Sequence, residues 1–217
     1  PAEPHGGPVS SVDFGPDGKT LATASFDGAV RIWTLDPVPK LLRAWPAHQR
    51  EAHAAAFSPD GARLASAGLD GAVRIWETAS GKLLTAIAAH AGGAYRVAWS
   101  SDGAWLASAG NDNAVRIWDP ADGRLLHRFL GHSEGIHALS ADRDGRLLVS
   151  ASPEGLAKVW DARSPARPRT LQSPTPAPYG GEVACAAISG DGRLVAAGRR
   201  DRDVAVWDAA TGALLHR

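Results

Sequence analysis

The chain has no methionine, a single cysteine and, in 217 residues, only four phenylalanines and two tyrosines. One thiol, Cys185, excludes an intrachain disulfide framework and fits a reducing compartment, so the cytoplasm is the expected location. Its place on a strand-like segment predicts a buried structural thiol. Net charge is also missing: Lys plus Arg and Asp plus Glu both number 23, leaving no bulk field to draw the chain onto nucleic acid or an anionic membrane. No run approaches the roughly 20 apolar residues of a membrane span. Without methionine, Pro1 is not a translation start, so the chain is expected to be cut from something longer or processed, and it carries no information on a preceding signal peptide.

What the chain does have is tryptophan in a fixed rhythm. Trp33, Trp76, Trp118, Trp160 and Trp207 follow one another at steps of 43, 42, 42 and 47 residues. An acid stands six residues before each: Asp27, Asp70, Asp112, Glu154 and Asp201. A histidine lies 22 residues before the first four acids, at His5, His48, His90 and His132, and Tyr179 holds that place in the fifth repeat. Constant spacing between side chains, with variable sequence between them, predicts that they meet in space. Length varies only after each tryptophan, which marks a surface connection.

Each unit reads as four short strands. In the first, Val9 to Phe14, Leu21 to Ser25, Ala29 to Trp33 and Leu41 to Ala44 are β-compatible. Pro16-Asp17-Gly18 and Asp27-Gly28 are tight turns between them. Later units repeat this grammar, with Asp112-Asn113 in place of one Asp-Gly pair. Strands this short, separated by turns this even, predict an all-β fold. One four-stranded sheet cannot cover both of its apolar faces, so each unit needs a neighbour on either side.

The histidine, the PDG-type hairpin, the LASAG-like strand and the acid followed by RIWD together resemble the WD-repeat (WD40) β-propeller family over essentially the whole chain. The resemblance implies five four-stranded blades, repeats about 5–47, 48–89, 90–131, 132–178 and 179–217, arranged around a central channel. It also implies a buried tetrad in each blade, complete in the first repeat as His5, Ser25, Asp27 and Trp33. Indole N–H only donates and carboxylate only accepts, whereas imidazole and hydroxyl do both, so four such groups can close a network. In the serine position the later repeats carry Gly68, Gly110, Ser152 and Arg199. Order is therefore expected to weaken along the chain, blade 5 being held least. Whole blades at both ends, with no strand exchange between them, suggest part of a larger ring, completed by absent blades of the same protein or by a second chain; the remaining alternative is an unusual closure of five. The Ala/Arg-rich wording suggests a bacterial member.

Chemistry is sparse. There is no phosphate loop and no nucleophile elbow, and the recurrent serines are strand residues. Arg31, Arg74, Arg116 and Lys158 recur two before the tryptophan and are expected to pack their stems and send their charges to solvent. The proline- and arginine-rich connection from Asp161 to Pro178 predicts a short or displaced outer strand in blade 4. The family pattern places three slots per blade on the upper surface. They offer Phe26, Leu69 and Tyr95 as anchors, with His53, Asn111, His137 and Arg200 as polar partners. The resemblance implies a non-catalytic protein-interaction scaffold or regulatory module with protein partners and no cofactor. The alternative is an enzyme or metal-binding propeller working at the channel mouth around His53 and His137, although no Cys or acid recurs there to complete a ligand set.

Overall fold

The computed structural model describes residues 4–164, 167–172, 182–200 and 203–217. These contain strands and turns and no helix, hence no helix long and apolar enough to cross a membrane. Blade 1 is β1 (Val9–Phe14), β2 (Thr20–Ser25), β3 (Ala29–Thr34) and β4 (Lys40–Pro46). Blade 2 is β5 (Ala52–Phe57), β6 (Arg63–Gly68), β7 (Ala72–Glu77) and β8 (Leu83–Ala88). Blade 3 is β9 (Ala94–Trp99), β10 (Leu106–Gly110), β11 (Ala114–Trp118) and β12 (Leu125–Leu130). Blade 4 is β13 (Ala138–Ala141), β14 (Leu147–Ala151), β15 (Ala157–Asp161) and β16 (Arg169–Leu171). Blade 5 is β17 (Val183–Ile188), β18 (Leu194–Arg199), β19 (Val204–Asp208) and β20 (Leu214–His216). Each blade is an antiparallel sheet with its strands in chain order. The outer strand β16 has three residues, as the proline-rich connection predicts; Pro174, Pro176 and Pro178 lie outside the described residues.

Glycine at the hairpin turns is a backbone requirement. Gly28 and Gly71 have φ of 80° and 81°, and Asn113, which takes the equivalent place in blade 3, has φ 62°. Asn is among the few residues besides Gly that enter this region readily. A Cβ on Gly28 would also lie 2.6 Å from the His48 carbonyl oxygen, so the turn presses against the next blade.

The AVRIW motif sorts its side chains by strand parity. Valine and isoleucine point toward the following blade, and tryptophan points back. Thus Val30 and Ile32 pack with Phe57, Leu64 and Trp76. Val73 and Ile75 pack with Trp99, Leu106 and Trp118, and Val115 and Ile117 with Leu148 and Trp160. Val149 and Val159 pack with Val195 and Trp207. The first strands β1, β5, β9, β13 and β17 neighbour one another in that order and form the inner rim.

Among the described residues there are four inter-blade cores, and no core cluster joins blade 5 to blade 1. Among the described residues the five blades form an open arc. Its free faces are apolar: Phe14 is 63 % exposed whereas Phe57 in the same place of blade 2 is 8 % exposed. At the other end Val204 is 59 % exposed, against 0 % for its counterpart Val73. The same geometry corrects the expectation for Cys185, which is exposed. It occupies the place of Ala54, whose side chain packs on the next blade, and the described residues put no blade there.

Candidate functional site at the inner rim

Four blades carry a closed polar chain. The indole Nε1 of Trp76 donates to Ser66 Oγ at 2.9 Å, Ser66 Oγ lies 2.8 Å from His48 Nε2, and His48 Nδ1 lies 2.9 Å from Asp70. Trp118, Ser108, His90 and Asp112 repeat this at 2.8, 2.7 and 2.7 Å. Trp160 donates to Ser150 at 2.8 Å, Ser150 lies 2.7 Å from His132, and His132 Nδ1 meets Glu154. In blade 1 Trp33 donates to Thr23 at 2.9 Å, Thr23 lies 2.7 Å from His5, and His5 Nδ1 lies 3.2 Å from Asp27. The carboxylate only accepts, so the imidazole donates Nδ1–H to it; in a neutral ring Nε2 is then the acceptor, and the hydroxyl, which accepts from the indole, gives its own proton to Nε2. Burial pushes the His48, His90 and His132 pKa values down, so these rings are neutral. Burial by itself would raise Asp70, but hydrogen bonds from Arg74 and His48 bring it down to about 2.

The hydroxyl therefore differs from the one the sequence pattern suggests. Ser25 and Ser152 are not tetrad members; Thr23 and Ser150 are. Ser25 Oγ donates to the Gly7 carbonyl at 3.1 Å, and Ser152 Oγ to the Glu134 carbonyl at 3.2 Å. The register explains why. Leu64 pairs with Trp76 and Ser66 with Arg74, so an indole reaching along its own strand meets the middle residue. In blades 2 and 3 the imidazole also covers the last one: a Cβ on Gly68 would lie 2.4 Å from His48 Cγ, and one on Gly110 2.8 Å from His90 Cγ. Those glycines make room for the ring. In blade 5 the hydroxyl place is taken by Ala197, and the Trp207 indole N–H is buried with no acceptor among the described residues. Tyr179 and Asp201 lie outside the described residues.

The recurrent cations are also placed differently. Arg31, Arg74 and Arg116 pair with the tetrad acids Asp27, Asp70 and Asp112 at 2.9, 2.8 and 2.7 Å instead of reaching solvent. Lys158 is buried and donates to Thr170 Oγ1 at 3.1 Å.

A second set of side chains is brought together at the inner rim. The pairing of first on second strand skips Ser10, His53, Tyr95 and Ala184 in blades 1, 2, 3 and 5. Each is a β-bulge, which re-aims a side chain out of the ladder. His53 and Tyr95 thereby join Phe26 and His137 in a row across four blades. Phe26 to His53, His53 to Tyr95 and Tyr95 to His137 are edge-to-face contacts with centroids 5.3, 5.0 and 5.2 Å apart. Gly93 permits this approach: at φ 127°, its added Cβ would lie 2.9 Å from Leu69 Cδ1 and 3.0 Å from Tyr95 Cε1.

The row borders a cavity of about 370 Å³ lined by Phe26, Glu51, His53, Leu69, Tyr95, Arg96 and His137. Five of the seven sequence-derived partner residues are thus assembled. Asn111 is exposed beside the cavity, and Arg200 forms an ion pair with Glu182 at 3.0 Å. Arg96 went unnoticed in the sequence; the signal was a large cation at a place where the other repeats carry Ser11, Ala54, Ala138 and Cys185. Tyr95 stands in ring contact with both His53 and His137. Among the described residues no group of three His, Cys, Asp or Glu side chains could hold a metal ion.

Five consecutive segments match the profile of the WD40 family (WD domain, G-beta repeat): residues 3–34, 39–77, 81–119, 123–161 and 171–208. The chain belongs to the WD-repeat family. Compared with curated proteins, this WD-repeat chain has no significant match. Members of the family generally serve as scaffolds for protein–protein interaction, and the surface just described is where this member carries its unusual residues.

Proposed function

We propose that this WD-repeat chain is a non-catalytic protein-interaction platform, working in the cytoplasm as part of a signalling or regulatory assembly. Its partner, a protein, seats on the inner rim against Phe26, His53, Leu69, Tyr95 and His137, with Asn111 and Arg200 at the margin. The observation that carries this reading is the row of aromatic and imidazole rings in four successive blades, two of which, His53 and Tyr95, stand at bulges. The tetrad needs none of these rings and the inter-blade cores do not include them, so their common presentation beside a cavity fits recognition better than fold support. The exposed faces of blades 1 and 5 are covered in this reading by further blades, from the same protein or from a second chain. An enzymatic or metal-binding use of His53 and His137 has less support, because Tyr95 contacts both imidazoles and among the described residues no acid completes a ligand set with them. The test is partner capture by wild type and by the Phe26→Ala, Leu69→Ala, Tyr95→Ala triple variant. The variant is expected to lose partners that wild type retains; equal recovery would tell against this surface.

A further inference from the structure

Within the inner-rim cavity two opposite charges stand without an ion-pair partner among the described residues. Arg96 donates from Nη1 to the Tyr95 carbonyl at 2.7 Å, and among the described residues it has no carboxylate. Its burial is uncompensated and pulls its pKa down. Glu51 Oε2 and His53 Nε2 are both buried with no hydrogen-bond partner among the described residues. Blade 5 offers the contrast: Glu182, which holds the place of Glu51, is neutralised by Arg200, whereas blade 2 carries Leu69 in the place of that arginine. Buried charges are ordinarily paired, and an unpaired guanidinium facing a cavity is a standing cost that an anion removes.

The field at the two imidazoles points the same way. Beyond burial, Arg96 lowers His53 more than Glu51 raises it, and Arg96 and Arg200 lower His137 more than Glu182 and Glu134 raise it. Phe26, Leu69 and Tyr95 supply apolar walls on either side. The volume suits one or two residues of a peptide, not a folded surface.

We propose that the cavity is a receptor for a peptide carboxylate, the acid seated against Arg96 between His53 and His137 and a neighbouring backbone N–H donated to Glu51. This rests on the interaction-platform reading and names the partner chemistry: an extended segment bearing an acidic side chain, or a free C-terminus, next to an apolar residue. Both unsatisfied charges are then met by one ligand, the guanidinium by the acid and the Glu51 oxygen by the amide.

Four capped tripeptides test it by calorimetry and by imidazole NMR signals. Three are blocked at both ends and carry central glutamate, glutamine or lysine between alanine and phenylalanine. The fourth lacks an internal acid and ends in a free carboxylate. The glutamate probe, the free-carboxylate probe or both are expected to bind and to move the His53 and His137 resonances. The glutamine and lysine probes should bind at least about tenfold more weakly. Arg96→Gln should weaken the acid probe about tenfold or more and Arg96→Lys less, while Glu51→Gln keeps the acceptor oxygen and leaves binding equal or tighter. Preference for lysine over both acid probes, binding of glutamine as tight as that of the tighter acid probe, or no binding of either acid probe at several millimolar would each overturn the proposal on wild-type protein alone. If acid probes fail while the Phe26, Leu69 and Tyr95 triple variant still releases the protein partner, the platform reading stands and the carboxylate receptor falls.

Discussion

Ser150, in β14, and Ser152, just beyond its end, sit two residues apart and are both fully buried, yet truncating them should have very different costs. Ser150→Ala removes the oxygen that accepts from the Trp160 indole at 2.8 Å and meets His132 Nε2 at 2.7 Å. Trp160 is 1 % and His132 7 % exposed, so neither orphaned group can turn to water. Each unsatisfied buried polar group costs about 1–3 kcal/mol, which gives about 2–5 kcal/mol for Ser150→Ala once partial relaxation is allowed. Ser152→Ala removes one longer bond to the Glu134 carbonyl, worth about 1 kcal/mol. Denaturant unfolding of the two variants, with unchanged slope and shifted midpoint, measures the difference. Equal destabilisation, or a larger loss for Ser152→Ala, would refute the placement of the hydroxyl.

Gly68→Ser, which restores a serine where the sequence pattern expects one, should destabilise by about 1–3 kcal/mol, because its Cβ would meet the His48 ring at 2.4 Å; the unfolding midpoint checks it. Ala197→Ser should stabilise blade 5 by about 1 kcal/mol, since it gives the buried Trp207 N–H an acceptor, and amide exchange in wild type should find β17 to β20 less protected than β5 to β8. Acid should unfold the chain in two stages. The buried histidines have folded pKa values below the unfolded value of about 6.5, so the unfolded chain binds more protons and stability falls as pH drops below that point. Asp70, Asp112 and Glu154 are depressed in the fold, so their contribution, full above about pH 4, is lost as pH falls toward their folded values. Midpoints measured from pH 8 to pH 3 should decline monotonically; a rise between pH 7 and pH 5 would contradict the neutral assignment of the imidazoles.

By itself the sequence determined the blades. Period-two alternation, Asp-Gly turns and the constant interval from histidine to acid to tryptophan are local or repeated features. They fixed the strands to within a residue or two: Val9 to Phe14 and Ala29 to Trp33 read from the chain are β1 and, with one added residue, β3. The residues that make a rim were legible too, since Phe26, His53, Leu69, Tyr95 and His137 do line one cavity. Tertiary structure decided what depends on which atoms share a volume. Thr23 and Ser150 take the tetrad place expected of Ser25 and Ser152 because the pairing register sets the middle residue of the strand within reach of the indole, and spacing alone carries no record of that register. The exposure of Cys185 follows from a neighbour that its own strand does not encode, and the isolation of Arg96 follows from carboxylates that distant repeats happen not to supply. Repetition in a chain specifies its strands, whereas side-chain reach and charge compensation belong to the assembled structure.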